Sequence, residues 1–406
     1  MECVWLWCAC ARACVVEWGA QIVPTNVDIS DSCSAGNSSA FCAANTLYRE
    51  QFEPGALAGA GGPGTLDVLP VGYITPGLIL MDALHGSYQD WIVAMARRMV
   101  AELPVAGIAW DRSDHAQLLN GRLDDGIAFD RDAGNVTSWL GTGWQQVVSR
   151  VCEVFHAAHK ACIHNTYTNR LDFNRHMDGI YDENGDQSWR APVDALLGLS
   201  KPVWLWDHCG SQERDVQVAR CSRDVDETHA WLASTFYYGA QATSPFPPCG
   251  DHTITSTNIA SGSLQVYKDF APLWPLLRHK RWILLPRAVE VNDSRISAAN
   301  IFSMTVSGGG LVVPVLNAHG PGGWGQLARQ NATIAVSISQ AALRETEAGS
   351  CEVRYPGGRD TVELVGLRTS SWEPAGDGAR VFDVTLRKGF AVLVCPAASG
   401  GTQTYE

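Results

Sequence analysis

Several absences narrow what this 406-residue sequence does. No run of about twenty uncharged apolar residues occurs, which removes a transmembrane helix. Positive charge is in deficit, with 30 Lys and Arg against 42 Asp and Glu and a formal net charge of -12. Nucleic-acid phosphates repel such a chain, so nucleic acid is not an expected partner. No repeated CxxC spacing marks a structural zinc site. No HExxH occurs, and no HxH follows a first strand, so the set Asp111, Asp114, His115, Asp182, Asp207 and His208 is not read as a metal site. No GxSxG elbow supports a serine nucleophile. No Gly-rich phosphate loop follows the first strands; Gly308-Gly309-Gly310 precedes a strand and reads as a turn. Neither metal nor cofactor is expected.

Cysteine and tryptophan are plentiful. Of 13 cysteines, Cys3, Cys8, Cys10 and Cys14 crowd the N-terminus, and the CxC of Cys8 and Cys10 reads as accidental. The odd total leaves a thiol free or paired between chains. Most of the 15 tryptophans are core filling, while Trp110 and Trp206 are candidates for stacking on a sugar face. Sequons occur at Asn37, Asn135, Asn292 and Asn331. Val4 to Val16 is apolar but interrupted by Arg12 and preceded by Glu2, so it reads as a signal peptide or as a truncated start. Together these features favour a secreted or endomembrane-lumen protein. Oligomeric state has no signature.

The chain reads as three segments: an irregular leader over residues 1–65, a strand–helix alternation over 66–290, and a β-rich region over 291–406. Strands are expected near residues 80, 110, 163, 181, 206 and 243. Helices are expected over 88–103, 143–160, 190–199, 224–238 and 264–278, with a long polar loop over 111–142. Val15 to Trp18 and Ile22-Val23 are candidates for two opening strands. The alternation implies a parallel sheet in an α/β fold, here a (β/α)8 TIM barrel. Short runs such as Leu311-Val312-Val313 and Phe390 to Val394, set off by Gly- and Pro-rich turns, imply a C-terminal antiparallel β-sandwich.

Two apolar runs end abruptly in acid. Gly107-Ile108-Ala109-Trp110 leads into Asp111-Arg112-Ser113-Asp114-His115, and Gly179-Ile180-Tyr181 leads into Asp182-Glu183. A carboxylate just past a barrel strand sits where such folds place their chemistry. Opposed carboxylates cleave glycosidic bonds. Asp111 is the candidate nucleophile, with Arg112 favouring its ionised form. Asp182 is the candidate acid/base, and Glu183 competes for that role. Asp114, His115, Asn165, Glu183, Trp206, Asp207, Asp251 and His252, with Arg112, form the candidate substrate-binding ring; His164 and His208 stand at the same strand ends. Sugar hydroxyls need many donors and acceptors, so the expected partner is a carbohydrate.

The runs around Asp111 and Asp182, with Lys280-Arg281-Trp282-Ile283-Leu284-Leu285-Pro286, resemble TIM-barrel glycoside-hydrolase-like proteins distantly similar to the α-galactosidase and α-glucosidase clans. The resemblance spans residues 70–395 and is more specific for architecture than for substrate. It implies a nucleophilic aspartate ending the fourth strand and an acid/base aspartate after the sixth. With Leu78 to Met81 as the third strand, these are Asp111 and Asp182. One departure stands out: Ala109 occupies a position that is Lys in many α-galactosidases. A non-catalytic carbohydrate-binding or scaffold protein is the alternative. For a retaining enzyme the two carboxyl groups are expected about 5–5.5 Å apart.

Overall fold

A computed structural model describes residues 21–22, 26–28, 78–80, 83–84, 86–110, 119–120, 124–131, 134–165, 171–182, 190–207, 224–245, 262–285, 287–291, 304–306, 310–317, 331–343, 351–361, 364–368 and 378–397. They fall into two compact units, with the boundary between Ile180 and Tyr181.

In the first unit the alternation appears as β1 (Gln21–Ile22), β2 (Asn26–Asp28), β3 (Leu78–Leu80), α1 (Gly86–Glu102) and β4 (Gly107–Trp110). Then come β5 (Leu119–Asn120), β6 (Ala128–Asp130), β7 (Asn135–Trp139), α2 (Leu140–Ala157), β8 (Ala161–Asn165), α3 (Leu171–Asn174) and β9 (Gly179–Asp182), which the unit boundary crosses. Strand β4 pairs in parallel with both β1 and β8. Gly107 is required there, because a Cβ would lie 2.4 Å from the Ala161 carbonyl oxygen. Helix α1 buries Ile92, Ala96 and Met99, and α2 buries Trp144, Val148, Val151 and Phe155, in one core with Ile108, Trp110 and Cys162. This is the i, i+3, i+4 stripe expected of helices laid on a sheet. A polar seam joins the helices: Arg150 donates to Gln89 and Asp90, and Gln89 donates to Gln146. A disulfide between Cys152 and Cys162 ties α2 to β8.

Two expectations change. Leu78–Leu80 is a strand, but it pairs antiparallel with Asn26–Asp28 and not as a parallel barrel strand. A short apolar run reads the same in either direction; where its partner returns sets the pairing. Within the expected loop over 111–142, β5, β7 and β6 form a small antiparallel sheet. Asp125 organises its turn by accepting from the backbone N–H groups of Ile127, Ala128 and Trp139.

The second unit contains α4 (Arg190–Gly198), β10 (Val203–Asp207), α5 (Val225–Tyr237), β11 (Gln241–Pro245), α6 (Ser263–Phe270) and a 3-10 turn over Trp274–Leu277. Strands β10 and β11 are parallel. Helix α5 opens with a capping box: Asp224 accepts from the Glu227 N–H, and Glu227 accepts from the Asp224 N–H. There follow β12 (Arg281–Trp282), β13 (Val289–Val291), β14 (Met304–Val306), β15 (Gly310–Leu316), β16 (Ala332–Ile338), α7 (Gln340–Leu343), β17 (Glu352–Tyr355), β18 (Gly358–Thr361), β19 (Leu364–Arg368), β20 (Ala379–Leu386) and β21 (Phe390–Cys395). They form two sheets, in orders β12-β14-β15-β21-β17-β18 and β13-β16-β20-β19, and every pairing is antiparallel.

Strands β15 and β21 explain the layering. Leu311, Val313, Val315, Ala391 and Leu393 share a core with Val336, Phe382 and Val384 of the other sheet. The alternate residues Val312, Leu316, Phe390 and Val392 share a second core with Trp231, Phe236 and Phe270 of helices α5 and α6. Because strand side chains alternate, both faces of this sheet are covered, which is why the two strands read as continuous apolar runs. Cys351 and Cys395 form a disulfide beside the paired β17 and β21. Lys280 is buried to 1% exposure; its Nζ donates to the Lys201 carbonyl, and its stem lies against Gly239, whose φ is +68°. Burial brings this ammonium down to about 8.

Candidate active site

Four strands that were expected to present polar residues end as expected. β8 ends in Asn165, β9 in Asp182, β10 in Asp207 after Trp206, and β4 in Trp110, one residue before Asp111. The side chains of Asn165, Trp206 and Asp207 lie outside the described residues. So do Asp111, Arg112, Asp114, His115, Glu183, His208, Asp251 and His252 altogether.

Asp182 is the site residue whose surroundings are visible. All four residues of β9 are buried, and Asp182 is 1% exposed. Its neighbours Ile180 and Tyr181 are buried on opposite faces of the strand, so alternation alone cannot decide which face carries the chemistry. An acidic residue is almost never this buried unless the surroundings compensate it. The acid at this strand end is therefore set into the fold and is not a solvated turn.

The adjoining strand β8 presents a second buried polar pair. The His164 Nε2 lies 2.6 Å from the Asn174 Oδ1, so that nitrogen carries the proton and donates. Both residues are buried. Helix α3 brings Asn174 back over the strand end. His164 stood out in the sequence; Asn174 did not, because a lone Asn in Leu171-Asp172-Phe173-Asn174 carries no spacing signal. Just before β9, Asp178 accepts from the Cys162 N–H at 2.7 Å and lies 2.9 Å from the His156 Nε2, fixing how the strand enters the sheet.

Trp110 departs from the stacking expectation. Its indole is 2% exposed and packs edge-on against Trp144, with ring centroids 6.2 Å apart. It fills the core beneath the strand end and offers no face to a sugar.

The described stretch from Asp124 to Trp139, ahead of α2, is held by acids too. Asp124 accepts from the Gly126 N–H. Burial raises the Asp125 carboxyl, but hydrogen bonds from Ala128, Trp139, Ile127 and Thr142 outweigh it and hold the group below its ordinary value. An acid committed to four donors is a structural clamp. Among the described residues, no group of three or more His, Cys, Asp or Glu is arranged to hold a metal ion.

No protein-family model matches the chain, and no curated protein matches its sequence. Solved structures do match in fold. A cycloisomaltooligosaccharide glucanotransferase from a Paenibacillus species, complexed with cycloisomaltoheptaose, aligns at TM-score 0.54 and 9% identity, covering 81% of this chain and 68% of that one. A noncanonic maltogenic α-amylase from Thermotoga neapolitana aligns at TM-score 0.49 and 10% identity, covering 93% and 76%. An α-galactosidase from Geobacillus stearothermophilus in complex with raffinose aligns at TM-score 0.42 and 13% identity, covering 93% and 44%. The fold is one that carbohydrate-active enzymes use. At such identities the likeness concerns fold and leaves chemistry to the residues.

Proposed function

We propose that the protein is a glycoside hydrolase working by two carboxylates, with Asp111 as nucleophile and Asp182 as acid/base. The observation that carries this reading is the burial of Asp182 at the end of a fully buried strand. A general acid must be held in one place beside the leaving oxygen, and a carboxyl built into a buried strand end is held in that way. Asp111 follows directly on β4, which is set by parallel pairing and by the close approach at Gly107. In the proposed reaction Asp111 attacks the anomeric carbon while Asp182 protonates the departing oxygen. Asp182 then removes a proton from water, which releases the sugar from Asp111 with retained configuration.

The architecture that goes with this reading is a (β/α)8 barrel over residues 66–290 with β1 of the leader as an opening strand, followed by a β-sandwich over 291–406. The ring of Arg112, Asp114, His115, Asn165, Glu183, Trp206, Asp207, Asp251 and His252 would bind sugar hydroxyls. The comparison protein complexed with cycloisomaltoheptaose supports a carbohydrate as substrate.

Asp111→Asn is the deciding variant. It is expected to abolish turnover of an activated aryl glycoside while the melting temperature stays unchanged. Undiminished turnover overturns the assignment. Wild-type protein that is retained on a glycan array yet hydrolyses no linkage points to the non-catalytic alternative, which Ala109 in place of the usual Lys would accompany.

A further inference from the structure

The β6–β7 ribbon carries a feature that glycoside chemistry does not use. Asn135 opens β7 as the first residue of the sequon Asn135-Val136-Thr137, and it is exposed. Pairing sets Phe129 opposite Val136, and both are exposed, at 61% and 57%, with Ile127 nearby at 78%. The ribbon therefore presents large apolar groups to water on one side. On the other side Thr137 is fully buried, and its hydroxyl has no hydrogen-bond partner among the described residues.

That hydroxyl is the informative atom. A buried hydroxyl without a partner costs free energy that valine, of nearly the same shape and an equally good strand former, would not. Among the described residues nothing uses the hydroxyl, whereas the acceptor tripeptide Asn-X-Thr requires one. The sequon at Asn331 differs. There Asn331 accepts from the Lys388 N–H, and Thr333 shares a hydrogen bond with Thr385, so both residues serve the local structure. Two disulfides, Cys152–Cys162 and Cys351–Cys395, fit an oxidising compartment, where such modification takes place.

We propose that Asn135 is an N-glycan attachment site, modified before Thr137 becomes buried. The donor is a polyprenyl-diphosphate-linked oligosaccharide. The Asn135 Nδ2 forms a bond to the anomeric carbon, the bond from that carbon to the phosphate oxygen breaks, the amide nitrogen loses one proton, and the lipid diphosphate leaves. By strand alternation Asn135 lies on the Thr137 side of the ribbon, at the exposed start of β7, so the bulky, hydrated product stands at that end, away from the Val136 and Phe129 face.

The test is glycopeptide mapping of the full chain directed into the secretory pathway of a eukaryotic cell. Both exported protein and the cell-retained lumenal fraction are analysed, so poor export does not hide the result. Wild type and Thr137→Ser are expected to carry a glycan on Asn135. Asn135→Gln and Thr137→Val are expected to lack it, and Thr137→Val should melt no lower than Asn135→Gln. An unmodified Asn135 in wild-type material with the Cys152–Cys162 bond formed overturns the proposal. So does a Thr137→Val protein clearly less stable than Asn135→Gln, because the hydroxyl would then serve the fold.

Discussion

The parallel strands β4 and β8 and the antiparallel strands β15 and β21 are built largely from apolar residues, but they differ in where polarity is allowed. Along β15 and β21 both faces are covered, and the loops between paired strands carry no buried acid among the described residues. At β8 the polarity is concentrated at one end, where His164 is buried against Asn174, and β9 ends in buried Asp182. One region spends its sequence on covering both faces of a sheet. The other leaves one end of its strands for groups that are expensive to bury. The proposed function places its site at that polar end.

The sharpest way to break the contrast is to remove the acid. Asp182→Asn is expected to lower turnover of an aryl glycoside by about 10²–10⁴-fold, the usual weight of a general acid/base, with little loss of stability. The opposite pattern, large destabilisation and unaltered turnover, would make β9 structural like β21. In the antiparallel region, Phe382→Ala should cost about 3–5 kcal/mol in denaturant unfolding, because Phe382 is fully buried between the sheets. Phe129→Ala on the exposed ribbon should cost under about 0.5 kcal/mol.

Disulfides offer the next comparison. Chain entropy predicts that replacing Cys351 and Cys395, separated by 44 residues, costs about 4 kcal/mol. Replacing Cys152 and Cys162, separated by 10, should cost about 3 kcal/mol. Equal melting of both double variants and wild type would remove the cross-links from the account of stability.

A pH effect belongs to the helical face of the second unit. His229 packs edge-on against Phe270, and burial, helped by Lys388, lowers its imidazole to about 4, against the opposing pull of Asp226 and Asp269. The unfolded chain takes up this proton near 6.5 and the folded chain only near 4. Stability from this group is therefore full above about 6.5 and falls as the pH drops towards 4, by about 3 kcal/mol in all. His229→Leu should flatten that part of the stability profile. At the small end, Arg98→Ala should leave the denaturant midpoint essentially unchanged, since its partner Glu102 is one turn away on an exposed face.

Much of this contrast was legible in the residues. The helical stripes of α1 and α2, the helix expected over 224–238 and the acid-terminated run at Asp182 each follow from spacing or residue type. The antiparallel pairing of Leu78–Leu80 did not, because three apolar residues carry no direction. The β6–β7 ribbon was missed because its strands are short and its register rests on Asp125, whose role depends on backbone groups up to Trp139. Trp110 shows the limit for aromatic residues: an indole at a strand end suits stacking on a sugar and packing on Trp144 equally well. The hairpin of β17 and β18 was missed as well, since Glu352, Arg354, Arg359 and Asp360 mask its alternation.

Lys280 has a consequence for chemistry on the whole protein. Its amine sits in the interior, engaged with the Lys201 carbonyl, so reagents that acylate lysine in water should leave it untouched while they label Lys388 at the surface. Once the surroundings open, a lowered proton affinity makes no difference and the amine reacts like any other. Slow labelling at this one position would thus clock the opening of the second unit, with no probe added to the chain.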